Sequence, residues 1–454
     1  MQRPDAVGVQ MPHPPTVFAW HPRAAILAYG VDRDGPAGLA VAVVSADGTC
    51  RVQRLDLVDP PTSLSWSPEG DALAVATGRR VYVVRAPGDQ PLSGELIQEQ
   101  EQGFTHRVEL VWSSRGRHLA FAAGDPHARQ LYVASRDQDF VATPVPLPEG
   151  FDKPEVSADM GLTWSPVAPV LAFSATEAGN KWRILVTEGG EPARTISSLD
   201  ADGASPVDGW SPLGHRFAYR AATCCGEGPL RGHIEAATLP GSAEGHLRLS
   251  PSGLLLAQRF TWQNDDGGWL VRQERDAVTL DRIDLSPTLE RRRRYEASGC
   301  GLFDIHAPSE HALIWCRQGE GTTLAALGPE DDEPRELARW SRRMWSSTPP
   351  LRWSVDGQYA VVPYDGGEDA KGLLEVRVVE GEALTLDHAA RHGHPNQNDF
   401  VAWRPDGRAY AYRPVRDGAD GLAVRRVDTR ETVTLVEPGS VDWVLGVKWS
   451  RQPL

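Results

Sequence analysis

The feature that most constrains this chain is a tryptophan-headed unit that returns roughly every 46 residues. Trp20-His21-Pro22 precedes Ala24-Ala25-Ile26-Leu27-Ala28-Tyr29, and Trp66-Ser67-Pro68-Glu69-Gly70 precedes Ala72-Leu73-Ala74-Val75. The same order recurs at Trp112, Trp164, Trp210, Trp353 and Trp403, and Trp449-Ser450 closes the series. Two degenerate copies fill the remaining gap: Leu249-Ser250-Pro251-Ser252-Gly253 has Leu in place of Trp, and His306-Ala307-Pro308-Ser309-Glu310 has His. The anchors at 20, 66, 112, 164, 210, 249, 306, 353, 403 and 449 are separated by 46, 46, 52, 46, 39, 57, 47, 50 and 46 residues. Eight of the 15 tryptophans sit at these anchors, so the indole is a recurring structural part.

Each period reads as four short strands. In the second copy these are 63–66, 72–77, 81–85 and a strand near 95–98, with the Ser-Pro-Glu-Gly turn after the first. Proline sets φ for the turn and glycine tolerates positive φ. The apolar runs are four to eight residues long and bounded by turn residues, as buried strands are. Gly (44) and Pro (36) together make 80 of 454 residues, which favours many short elements over long helices. A four-stranded sheet cannot bury both faces alone; packing successive sheets against one another does so, and a period near 46 with four strands is the β-propeller solution. The expected fold is therefore all-β, one large propeller of eight or nine four-stranded antiparallel blades. Residues 1–14 read as a tail whose 6–11 segment could close the ring, and 15–454 as the propeller.

The pattern Trp-Ser-Pro-[Asp/Glu]-Gly followed by Leu/Ala/Tyr/Phe-Ala-Phe/Tyr resembles the TolB-like, or PD40, class of WD40-like propellers across nearly the whole chain. The regularly placed Gly-His and Trp-Asp dipeptides of the eukaryotic WD40 form are absent. The blades also resemble those of prolyl oligopeptidase-type proteases. No Gly-x-Ser-x-Gly elbow with following Asp and His is found, so the hydrolase part of such enzymes is not expected here.

The net charge of −14 disfavours a nucleic-acid binder, which needs a basic surface to displace counterions. No run of 18 apolar residues suggests membrane insertion, and the first residues do not read as a signal peptide. Five cysteines, Cys50, Cys224, Cys225, Cys300 and Cys316, fit a reduced cytoplasmic thiol set better than a secreted disulfide framework.

Candidate chemistry is sparse. His388, His392 and His394 have spacing that could supply metal ligands, but the stretch reads as a solvated inter-blade loop. Cys224-Cys225 with His233 lacks the usual Cys-x2-Cys spacing. Arg291 to Arg294 form a basic run in which alternate side chains would face opposite sides of a strand. Aromatic and arginine side chains on long loops are the types enriched in binding hot spots; Phe104, Phe151, Trp262, Trp269, Trp340, Arg342, Arg343 and Trp345 are the candidates.

These readings lead to the expectation of a non-catalytic cytoplasmic scaffold or recognition subunit, binding one or more protein partners through a loop-bearing face, with no cofactor. The alternative is an enzyme, or a small-ligand or metal-binding propeller acting at the central channel. A TolB-like envelope protein is a weaker alternative.

Overall fold

In the computed structural model the described residues are 18–22, 26–31, 38–44, 50–85, 92–99, 108–123, 130–155, 161–177, 181–197, 203–224, 231–239, 246–254, 258–274, 277–285, 289–329, 331, 333–341, 351–365, 371–386, 401–403, 407–412, 415–416, 419–420 and 422–436. They are mostly strand, arranged as seven four-stranded antiparallel sheets, one ten-stranded sheet and one two-stranded sheet. The larger sheet is two successive repeats joined by a single parallel bridge between Trp182 and Gly203. The described residues thus form nine repeats of the β-propeller type. No described helix is long and apolar enough to cross a membrane. Contacts divide the described chain into two compact units, one up to Gly267 and one from Gly268.

The anchor ends the first strand of its repeat, as in Pro61–Trp66 and Leu110–Trp112. The following serine closes the turn. Ser67 N–H donates to the Ala72 carbonyl (2.8 Å), Ser67 Oγ accepts from Ala72 N–H (3.1 Å), and Gly70 N–H donates back to the Ser67 carbonyl (2.9 Å). Ser113, Ser211 and Ser354 repeat this arrangement. The turn glycines Gly70, Gly116, Gly214 and Gly357 all have φ between +63° and +80°, which L side chains rarely adopt. They also lie against the preceding repeat. A Cβ on Gly70 would run into the His21 ring, and one on Gly214 into Ser165 Oγ.

The cores lie between successive repeats. One joins Ala72, Ala74 and Val83 of the second repeat to Leu110, Trp112, Leu119 and Phe121 of the third. Others join the third to the fourth, the fourth to the fifth and the seventh to the eighth in the same manner. Second strands such as Ala72–Thr77 are buried throughout, whereas fourth strands such as Gly94–Glu99 are largely exposed.

Six of the joints are pinned by the anchor indole. Trp66 Nε1–H donates to the Ala19 carbonyl (3.1 Å), Trp112 to Ser65 (2.9 Å), Trp164 to Val111 (3.0 Å), Trp210 to Thr163 (3.1 Å) and Trp403 to Arg352 (3.0 Å). In every case the acceptor is the residue just before the previous anchor. The sixth repeat follows the same rule, but through Trp262, which donates to Gly209 (3.0 Å). Leu249 is therefore not the sixth anchor. It is a buried residue just after the fourth strand of repeat five, where Ser250 Oγ accepts from Ile234 N–H (2.8 Å). With Trp262 in place, the irregular spacings of 39 and 57 become 52 and 44. His306 does end the first strand of repeat seven, Cys300–His306. The indole of Trp20 is not described, and Trp449 lies outside the described residues.

The cysteines are not all free thiols, as the composition had suggested: Cys300 and Cys316, directly opposite on paired strands, form a disulfide.

Two substitutions test the joints. Trp262→Phe keeps an apolar ring but leaves the Gly209 carbonyl without its donor, and should cost about 1–3 kcal/mol in a urea melt. Gly70→Ala combines positive φ with a clash and should cost about 1–3 kcal/mol. Gly78→Ala, where a Cβ would meet nothing within 4 Å, should stay within about 0.5 kcal/mol of the parent.

Candidate functional site

Comparing repeats two to five with one another exposes a place where a carboxylate has entered a buried cross-strand pair. Two residues into the second strand from the anchor's partner lie Val75, Phe121, Phe173 and Tyr219 in repeats two to five. Their cross-strand partners on the third strand are Tyr82, Tyr132, Leu185 and Glu235. Repeat five has therefore gained a hydroxyl on one strand and a carboxylate opposite it.

Tyr219 is on the second strand of repeat five, Arg216–Cys224, and Glu235 on the third, Arg231–Thr238. His233 is two residues before Glu235, and alternation puts both on one face. His246 begins the short fourth strand, His246–Arg248. These four side chains meet. His233 Nε2 lies 2.6 Å from Glu235 Oε1, the Tyr219 hydroxyl donates to Glu235 Oε2, and His246 Nδ1 lies 2.9 Å from the Tyr219 oxygen. Tyr219 is fully buried, and His233 and Glu235 are only 9% and 8% exposed. Tyr219 packs in the core shared with repeat four, beside Phe217, Ile184 and Ala221.

Burial pushes the Glu235 carboxyl up, but the hydrogen bonds from His233 and Tyr219, with the nearby imidazoles, outweigh it and hold the group below the usual carboxylate range. An anionic Glu235 fixes the His233 tautomer by accepting from Nε2–H. The other ring nitrogen, Nδ1, is buried and has no hydrogen-bond partner among the described residues. A carboxylate that orients an imidazole and leaves its other nitrogen open is the arrangement of a general base.

A second buried carboxylate shows the contrast. Glu375 is fully buried and accepts from Arg377 Nε (3.0 Å), Arg425 Nε (2.6 Å) and the Tyr410 hydroxyl (2.9 Å). Arg425 and Tyr410 belong to the next repeat, so this network staples repeats eight and nine together and offers no open atom on the carboxylate's partners of the His233 kind.

The residues expected from sequence fall elsewhere. Trp262 and Trp269 are 6% and 3% exposed and lie in strands, not on a presented loop. Phe151 packs on the core between repeats three and four, and Trp340 on that between repeats seven and eight. Phe104, Arg342, Arg343, Trp345, His388, His392 and His394 lie outside the described residues. Among the described residues no group of three or more His, Cys, Asp or Glu is placed to hold a metal ion. His233 was considered beside Cys224 and Cys225, but its partner is Glu235. The His233-x-Glu235 pair inside an otherwise apolar strand was the available signal.

No family model and no curated protein sequence matches the chain. Solved structures do. A eukaryotic initiation factor is similar with a TM-score of 0.54 at 11% identity, covering 91% of this chain and 98% of that one. Dipeptidyl peptidase 4 of Porphyromonas gingivalis is similar with a TM-score of 0.51 at 10% identity, covering 83% of this chain and 60% of that one. Oligogalacturonate lyase from Vibrio parahaemolyticus is similar with a TM-score of 0.42 at 9% identity, covering 81% and 97%. At these identities the likeness shows the fold. The expectation of a non-catalytic scaffold that is no enzyme is corrected by this comparison, in which a structure similar over most of the chain is a peptidase. That expectation rested on finding no contiguous catalytic motif, and the cluster described above is assembled from three strands.

Tyr219→Phe removes one hydrogen bond to the anionic Glu235 without changing the ring. It should cost about 1–3 kcal/mol at neutral pH. A carboxylate held below its ordinary range stabilises the fold above that range and loses the contribution as pH falls through its folded value. Urea melts of parent and variant should therefore converge on acidification.

Proposed function

We propose that this chain is an enzyme-associated propeller and that His233, held by Glu235, is its general base. The observation that supports this most is the open Nδ1 of an imidazole whose Nε2 faces a buried carboxylate. A purely structural pair has no need to leave a buried ring nitrogen without a partner, because that costs desolvation free energy with nothing in return. Tyr219 and His246 extend the network, so a proton taken up at His233 is stabilised by a carboxylate already anchored on its other oxygen. The reaction class that suits such a base is hydrolysis, in which Nδ1 takes a proton from a water or a substrate hydroxyl as it attacks. Peptide bonds are the first substrates to try, because the similar structures include peptidases. The Trp-Ser-Pro-x-Gly repeats are of the TolB-like kind, and in this reading they are the frame that holds the base.

The test is turnover of aminoacyl- and dipeptidyl-p-nitroanilides and p-nitrophenyl esters by the parent, His233→Ala and Glu235→Gln, with thermal melts to confirm folding. The parent should hydrolyse at least one of these probes, and His233→Ala should lower the rate by about two to four orders of magnitude. A parent with no turnover, or a His233→Ala variant that keeps the parent rate, overturns the assignment.

A further inference from the structure

Repeat seven departs from the anchor turn at three positions: His306 stands for Trp, Ala307 for Ser and Glu310 for Gly. Glu310 nevertheless takes the left-handed conformation of the glycine it replaces, at φ 57°. A non-glycine residue there is strained and persists only where its surroundings hold it. Arg282 does so, pairing with the Glu310 carboxylate at 2.6 Å. The joint to repeat eight has also lost its usual bond, since the buried Trp353 Nε1 has no hydrogen-bond partner among the described residues.

In its place stands a cluster of two imidazoles around one hydroxyl. Ser309 Oγ lies 2.8 Å from His306 Nδ1 and 2.9 Å from His311 Nδ1. The backbone N–H of Ser309 also points at His306 Nδ1, at 3.3 Å. A backbone N–H only donates, so His306 Nδ1 is the bare nitrogen and its proton is on Nε2, on the side that hydrogen-bonds the Val355 backbone of repeat eight. The Ser309 hydroxyl donates to His306, and His311 Nδ1–H donates to Ser309. The Gly357 turn of repeat eight sits directly on this group, where any Cβ would strike His306 Nδ1 and Ser309 Oγ, and the His306 ring lies 5.7 Å from that of Trp353.

We propose that this cluster makes the joint between repeats seven and eight a pH-sensitive latch, closed while His306 and His311 are neutral and loosened when they take up protons. A proton can enter His306 only at Nδ1, the atom that accepts from Ser309. Its arrival sets an N–H against the Ser309 N–H and turns the hydroxyl away. It also places two cations around one small oxygen. The groups that face His306 are Asp304 on its own strand and Asp356 on the repeat-eight turn, both favouring the proton. Those that face His311 are Asp331, which favours it, and His306 and Arg335, which oppose it. Burial is the largest influence on both rings and holds both below the ordinary histidine range. The sign follows. The unfolded chain binds these protons first, so the latch is intact above the ordinary histidine value and weakens as pH falls below it toward the lowered folded values.

Hydrogen–deuterium exchange on the full chain, corrected for intrinsic rates, reads the joint directly. Between pH 7.5 and pH 5.5, peptides spanning 303–313 and 351–360 should exchange about tenfold faster, while the matching turn at 208–214 changes less than about twofold. His306→Trp combined with Ala307→Ser and Glu310→Gly restores the consensus turn and should abolish the difference. His306→Asn, which keeps an oxygen acceptor near the Nδ1 position without a titratable ring, should reduce it and serves if the triple variant does not fold. A parent joint that does not respond to pH, or variants that respond as the parent does, overturns the proposal.

Discussion

The hydrogen bond from the anchor indole to a carbonyl of the preceding repeat, made at six anchors, is the interaction on which the rest of the structure depends. In every described repeat except the fifth, whose first strand also bridges to repeat four at Trp182 and Gly203, the first strand is an edge of its sheet with a second strand on one side only. Its other row of backbone groups has no strand partner, and buried backbone carbonyls without donors are costly. A neighbouring strand would satisfy them, but would fuse the repeats into one continuous sheet. A tryptophan does otherwise. Its ring fills the space between sheets and its single N–H reaches the one carbonyl beside the previous anchor. Serine and glycine follow from this. The serine closes the turn that ends the strand, and the glycine lets that turn press against the preceding repeat.

This explains how much of the fold could be read in the sequence. The indole, the turn serine and the positive-φ glycine each have few chemical substitutes, so they recur visibly wherever the joint is built in the usual way. The reading went astray at Leu249 because Ser250-Pro251-Ser252-Gly253 carries the turn chemistry without the joint. Ser250 caps a strand there, as Ser67 does, but at the end of a repeat. The true anchor, Trp262, is followed by Gln263-Asn264-Asp265-Asp266-Gly267, a hairpin in which Asn264 Oδ1 accepts from Asp266 N–H in place of a serine cap. Turn residues can be exchanged among several solutions, whereas the indole donor is kept at Trp262 even where the turn chemistry differs.

The candidate site was illegible for a different reason. Tyr219, His233, Glu235 and His246 span three strands, and only cross-strand register brings them together. Sequence spacing reports neighbours along a strand, such as His233 and Glu235, but says nothing about which tyrosine stands opposite. Once register is known, the repeats act as their own reference. Where repeats three and four place Phe121 against Tyr132 and Phe173 against Leu185, repeat five places a phenol against a carboxylate. Packing does not call for that exchange, because the aromatic ring remains and only polar atoms are added.

The two buried carboxylates show how such additions divide between architecture and chemistry. Glu375 is met by two guanidinium groups and a phenol, and the Arg425 and Tyr410 contacts tie repeat eight to repeat nine. Glu235 is met by an imidazole and a phenol instead, and the imidazole ends on a nitrogen that nothing in the fold uses. Replacing guanidinium groups by an imidazole takes the bidentate ion-pairing groups out of the network and leaves the Glu235 cluster a weaker staple than that of Glu375. A fold that buries one carboxylate with arginines has, three repeats earlier, buried another with aromatic rings, and that difference in partners is what separates the two clusters.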